Sequence, residues 1–196
     1  GITLSGCGTT ETIRYKMTVE VETPQGVKSG YAVREVVFHE GSKGPSLSNK
    51  TGGQTLKGEA VAVDVAQGQT LFALLTGPGG DVDYGLRIFD RAFDWSPAYA
   101  NQPASELSKR DEIELYPTAP KTDRMKNTNP LPLLVRFKDI SDPKSVERVE
   151  PDALDVAFGP GVRLRRISVA KTDEAVTVGI ERRLGWFVSY KDKQLD

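Results

Sequence analysis

An antiparallel α+β domain is the fold that this 196-residue sequence predicts: mainly a sheet built from hairpins, with a few short helices and a C-terminal helix packed on it. Three observations lead there. Several stretches alternate apolar with polar residues and are joined in pairs by turn residues. The helical spacings come late and apart, not between successive strands. No internal repeat of strand, helix and strand runs along the chain, as a parallel nucleotide-binding sheet would require. One sheet with helices on one side is the arrangement expected.

Residues 13–23, IRYKMTVEVET, put Ile13, Tyr15, Met17, Val19 and Val21 on one face and Arg14, Lys16, Thr18, Glu20 and Glu22 on the other, the pattern of a half-buried strand. Pro24 suits the first corner of the following turn and Gly26 a left-handed position, so residues 27–40, VKSGYAVREVVFHE, should return as the second arm of a hairpin. Val36 and Val37 are adjacent, which calls for a bulge or for burial on both faces between Arg34 and Val37. Residues 41–57 lack any apolar period and read as a loop. GEAVAVDV and TLFALLT then flank AQGQ as a second hairpin, with Val61, Val63 and Val65 inward.

Val82, Leu86, Phe89 and Phe93 recur at helical spacing over 81–93, with Asp81 as a cap. Residues 96–132 read as a long covering loop with one strand-like piece, EIELY. LLVRFKDI is a strand. EPDALDVAFGPG reads as a short helix with Pro151 at its first position and Gly159 past its end. VRLRRISV is a further strand whose face changes at Arg165 and Arg166. In the tail, Val176, Ile180, Leu184 and Phe187 make one helical stripe.

A chain of this size can bury roughly 70% of its unfolded surface, so a core forms without staples. Lys and Arg number 26 against 27 for Asp and Glu, so no net field draws the molecule onto nucleic acid, which is not an expected partner. No run of 18 apolar residues occurs, so attachment to a membrane would have to come from something other than a spanning helix.

The single cysteine, Cys7, closes the stretch Leu4-Ser5-Gly6-Cys7. An aliphatic residue, two small residues and a cysteine resemble the lipobox of bacterial lipoproteins. There the small residues let a peptidase take the backbone in extended form, and sulfur is the nucleophile that accepts a diacylglyceryl group. Only Gly1, Ile2 and Thr3 precede it, so residues 1–10 are expected to be a truncated signal, lipobox and tether, and 11–196 a single globular domain. Cys7 is the expected lipidation site, and each buried methylene of its lipid would contribute about 0.8 kcal/mol of membrane affinity. Gly8, where an Asp signals retention at the inner membrane in that family, points to the outer membrane.

With the lipobox, RYKMTVEVETPQG and FKDISDPKSVERVEPDALDVAFGPGVRLRRI are similar to a set of uncharacterised lipoproteins of Gram-negative bacteria. The resemblance implies an envelope location, lipid-anchored at the periplasmic face of the outer membrane or at the cell surface. It assigns no catalytic residue.

The residues themselves offer little chemistry. His39 is the sole histidine, so a multi-histidine metal site is excluded and no metal or cofactor is expected. The glycine-rich pieces follow neither the Walker nor the dinucleotide spacing, although Lys50, Lys57 and the amides near Gly52 and Gly53 could hold an anion weakly. Asp139 and Asp142 lie just past a strand end, where a carboxylate site or an ordinary turn would use them; Asp142 before Pro143 favours the turn. Arg163, Arg165 and Arg166 make the C-terminal third locally basic, as candidate contacts for a headgroup or partner, or as half of a set of cross-strand ion pairs. The expected role is a noncatalytic binding or structural module with an envelope protein partner. A carboxylate-based hydrolase with Asp139 and Asp142 as its pair, or an inhibitor or immunity lipoprotein with one tight protein partner, are the alternatives.

Overall fold

The computed structural model describes residues 10–39, 54–92, 112–115 and 131–189. Cys7, Lys50, Gly52 and Gly53, Phe93 and most of the expected covering loop at 96–132 lie outside them. The alternation in the first stretch yields β1 (Thr10–Thr23), whose inward residues Tyr15, Met17, Val19 and Val21 are fully buried. β1 turns through Pro24 and Gln25 into β2 (Gly26–His39), and the pairing runs unbroken from Thr23 with Gly26 to Thr10 with His39. Gly26 takes φ 109°, the left-handed corner expected of it. At a rise of about 3.4 Å per residue the hairpin is roughly 45 Å long.

No bulge interrupts β2 between Arg34 and Val37. Instead the strand is buried on both faces from Ala32 to Val37. β3 (Gln54–Lys57) pairs with Glu35–Phe38, although its sequence reads as loop. Its strand geometry comes from the edge offered by β2, which local pattern cannot reveal.

β4 (Val61–Ala66) and β5 (Gln69–Ala73) form the second hairpin, with Val61, Val63 and Val65 inward as expected. α1 (Tyr84–Ala92) buries Tyr84, Ile88 and Phe89. The helix starts later than the spacing suggests: Val82 lies before it and is 75% exposed, while Asp81 receives the N–H of Asp83 in the preceding turn. β6 (Glu112–Leu115) is the strand expected from EIELY. β7 (Leu134–Phe137) and β8 (Val146–Arg148) flank a turn containing a single 3-10 turn at Pro143–Ser145. α2 (Leu154–Phe158) begins three residues after Pro151, and Gly159 follows its end, donating its N–H to the Asp155 carbonyl at 2.8 Å. β9 (Arg163–Lys171) returns along β1.

The strands make two antiparallel sheets, not the one sheet expected: β3-β2-β1-β9-β6 and β4-β5-β7-β8. Their inner faces meet in one core of Tyr15, Met17, Val19, Val63, Leu71, Leu134, Ile167 and Val169, and the inward side chains of α1 join it. Gly30 of β2 passes so close to β4 that a Cβ there would stand 2.0 Å from the Ala62 carbonyl oxygen. Only glycine permits that crossing.

The expected C-terminal helix is not what residues 174–186 form. Thr172–Gly179 have no regular structure, a 3-10 turn spans Ile180–Arg182, turns continue through Trp186, and helical backbone begins only at residues 187–189. Val176, Thr177 and Val178 are β-branched, and Thr177 exchanges hydrogen bonds with Val33 of β2, its N–H donating to the Val33 carbonyl at 3.1 Å and its hydroxyl accepting at 2.8 Å. These bonds outweigh a helical stripe whose residues are weak helix formers. Ile180, Leu184 and Trp186 still reach a sheet: they cover Phe72, Val135 and Phe137 on the outer face of the second one.

Candidate functional site

Three groups of polar residues stand out, and each is defined by the element beneath it. The first is the outer face of the larger sheet. Leu164 and Arg166 of β9 oppose Val21 and Glu20 of β1, which leaves Arg165 as the extra residue of a β-bulge. This is the face change that the paired arginines imply. Arg163 bonds Glu22 of β1, while Arg166 lies 3.1 Å from both Glu20 and Glu112, reaching across two neighbouring strands. Farther along, Lys16 pairs with Glu174 at 2.7 Å and sits 4.2 Å above the Tyr31 ring. Glu35 takes Arg14 at 2.9 Å and Lys57 at 3.5 Å. The hydrogen bond from Arg14 is the chief reason the Glu35 carboxyl is held below its ordinary pKa, with Lys57 adding to it against the opposing effect of desolvation.

The candidate arginines therefore divide. Arg163 and Arg166 neutralise carboxylates, and Arg165 alone is exposed with no ion pair among the described residues. Lys57, a candidate for anion binding, is likewise engaged with Glu35.

The second group is the turn between β7 and β8. Asp139 accepts the Ser141 N–H at 2.9 Å and the Ser141 hydroxyl at 2.6 Å, and Asp142 accepts the Lys144 N–H at 2.9 Å as cap of the 3-10 turn. Both carboxylates are exposed and build the turn. The Ser141 hydroxyl, then its N–H, lowers the Asp139 pKa. That is the opposite of what a general acid near neutral pH needs.

The third group escapes sequence reasoning. Arg34 of β2 is completely buried in the main core, facing Tyr15 across the hairpin. Its Nε donates to the Glu59 carbonyl at 3.1 Å and its Nη2 to the Ala73 carbonyl at 3.4 Å, while Nη1 lies 3.6 Å from Met17 Sδ. Among the described residues no carboxylate comes within ion-pair distance of it. Tyr15 is as deeply buried and donates its hydroxyl to the Gly85 carbonyl of α1 at 2.6 Å. Burial raises the Tyr15 pKa, and the nearby Arg34 opposes that shift without reversing it. The only sequence signal of this arrangement is the arginine amid VREVV, and alternation alone would put it on the same face as Ala32 and Val36.

Beside the turn from β5 to α1, a cleft of about 40 Å³ is lined by Pro78, Leu131, Pro132, Arg148, Glu150 and Pro151. It has room for a water or two, far less than the several hundred Å³ of a small-molecule site. Arg148 is occupied there, with Glu150 at 2.8 Å and the Pro78 carbonyl at 2.7 Å. Among the described residues no group of three or more metal-ligating side chains gathers, and no helix is long and apolar enough to cross a membrane. No family model, curated protein or solved structure matches this chain.

Proposed function

We propose that this chain is a lipid-anchored protein of the bacterial cell envelope, held at the outer membrane through Cys7, whose folded domain binds a protein partner or envelope component without catalysing a reaction. The observation that carries the reading is Leu4-Ser5-Gly6-Cys7, the acylation pattern, set three residues ahead of the first strand. Among the described residues the carboxylates and guanidinia picked out by sequence are engaged in turns and cross-strand pairs, which leaves Arg165 as the one of them open to a partner.

The anchor would also orient the domain. Three residues span at most about 10 Å, so the Thr10 end of the hairpin is kept near the bilayer. The turn at Pro24 and Gln25 is at the far end of two 14-residue strands, where a partner can reach it. Metabolic labelling of the full-length native protein with an alkyne fatty acid tests the anchor: wild type is expected to take the label and Cys7→Ser to lose it together with membrane fractionation. An unlabelled wild type ends the reading.

A further inference from the structure

Each edge of the two sheets raises the same question, since an edge strand carries a row of main-chain groups that could pair with another chain. β4 lies with the Ala62 carbonyl against the face of β2 at Gly30, and β8 is three residues long. β2 differs. Beyond β1, it is paired with β3 only over Glu35–Phe38, and Val33 is taken by Thr177. Val33 points its N–H and carbonyl away from β1, and strand alternation turns those of Val27, Ser29 and Tyr31 the same way. Among the described residues the outward groups of Val27, Ser29 and Tyr31 have no partner. The same short stretch exposes two large apolar side chains, Val27 at 45% and Tyr31 at 52%, on one face of the sheet. Lys28, on the other face, has no ion pair among the described residues.

We infer that the free edge of β2 from Val27 to Tyr31 is a slot for an extended segment of a partner protein, added as a strand, with β-branched side chains at alternate positions and a carboxylate beside Lys28. The inference rests on the binding reading above and names the partner's chemistry. Main-chain groups would supply the hydrogen bonds, Val27 and Tyr31 the apolar contacts, and Lys28 the charge preference.

The geometry selects a separate strand over a second copy of this chain. A two-fold copy centred on Ser29 would bring its own Gln25 opposite Val33, where Thr177 already sits. Thr177 thus closes one end of the slot. The other end runs out past the hairpin turn, so an incoming segment can continue beyond Gly26 without obstruction from the β2 ladder. If Cys7 is acylated, this slot also lies toward the end of the hairpin remote from the membrane.

The probe is the blocked pentapeptide Val-Asp-Thr-Asp-Val, added antiparallel so that the N–H of its central residue meets the Ser29 carbonyl. Titrated into the unlipidated full chain and followed by amide NMR, it is expected to shift the Val27, Ser29 and Tyr31 N–H signals saturably and to slow their hydrogen exchange by about tenfold. The same peptide N-methylated at its central residue should not bind, and the version with lysine for both aspartates should bind about tenfold more weakly. Ser29→Pro removes an outward N–H without touching the β1 ladder and should abolish binding, whereas Ser29→Ala should keep it. Absence of saturable shifts at millimolar peptide overturns the proposal, as does equal binding of the N-methylated or lysine peptide. The N-methylated peptide acts on wild-type protein, so the conclusion stands even where Ser29→Pro fails to fold. Self-association that Ser29→Pro abolishes would refute the choice of occupant. Because the assay needs no lipid, its failure is separate from a failure of acylation.

Discussion

Replacing Arg34 by lysine and by methionine separates what its charge does from what its stem does. The guanidinium is fully buried and donates to the Glu59 and Ala73 carbonyls, with a thioether as third neighbour. Methionine keeps most of the stem's length and removes the charge. It leaves two carbonyls short of a donor, about 1–3 kcal/mol each. Against that, it no longer buries a cation without a facing carboxylate, a penalty of several kcal/mol. The two effects are of similar size, so Arg34→Met is expected within about 2 kcal/mol of wild type.

Lysine keeps the charge but not the planar fork that reaches both carbonyls, and unlike arginine it can shed its proton. A buried lysine has its pKa lowered by as much as 3–5 units at about 1.4 kcal/mol per unit, and because shedding the proton at pH 7 caps the penalty, Arg34→Lys should lose roughly 4–5 kcal/mol at that pH. The unfolded state then binds more protons than the folded one. The stability of this variant should therefore rise as pH climbs toward 10, a slope wild type lacks at this position. Urea unfolding followed by circular dichroism at pH 7, 8 and 9.5 reads both quantities. If Arg34→Lys is as stable as Arg34→Met at pH 7 and runs parallel to wild type with pH, a counter-charge balances the guanidinium and the reasoning fails.

Tyr15→Phe should cost about 1 kcal/mol through its lost hydrogen bond to Gly85. Because burial raises the Tyr15 pKa, its contribution is complete below pH 10 and disappears as pH rises above that value, so the phenylalanine variant should show a shallower alkaline loss of stability in the same unfolding assay. Glu35 behaves in the opposite sense: with its pKa lowered by Arg14 and Lys57, its contribution is present above pH 4.5 and lost as pH falls, and acid titrations of Glu35→Gln should be flatter in that range. Gly30→Ala pushes a methyl into the Ala62 main chain and should lower stability by about 1–3 kcal/mol or more, seen as a lower urea midpoint; an unchanged midpoint would mean that the sheets slide past each other freely.

Alternation by itself determined β1, its hairpin with β2, the β4 and β5 pair, and the inward set from Ile13 to Val21, because a period of two is a local property of the chain and one buried face suffices to produce it. The face change in β9 was equally legible: two adjacent arginines between inward residues demand an extra residue, and Arg165 is that residue. The turn roles of Asp139 and Asp142 followed from short-range hydrogen bonding next to a proline. What only tertiary structure decided depends on partners distant in sequence. Gln54–Lys57 became a strand because β2 offered an edge, and Val176–Val178 gave up a helical stripe for bonds to Val33. The division into two sheets arose where hairpins with identical local patterns chose different neighbours. Arg34 belongs to that class as well: its place on an inward face could be counted out residue by residue, but a buried cation is tolerated only where carbonyls from β5 and from the approach to β4 converge on it, and no run of one strand's residues carries that information.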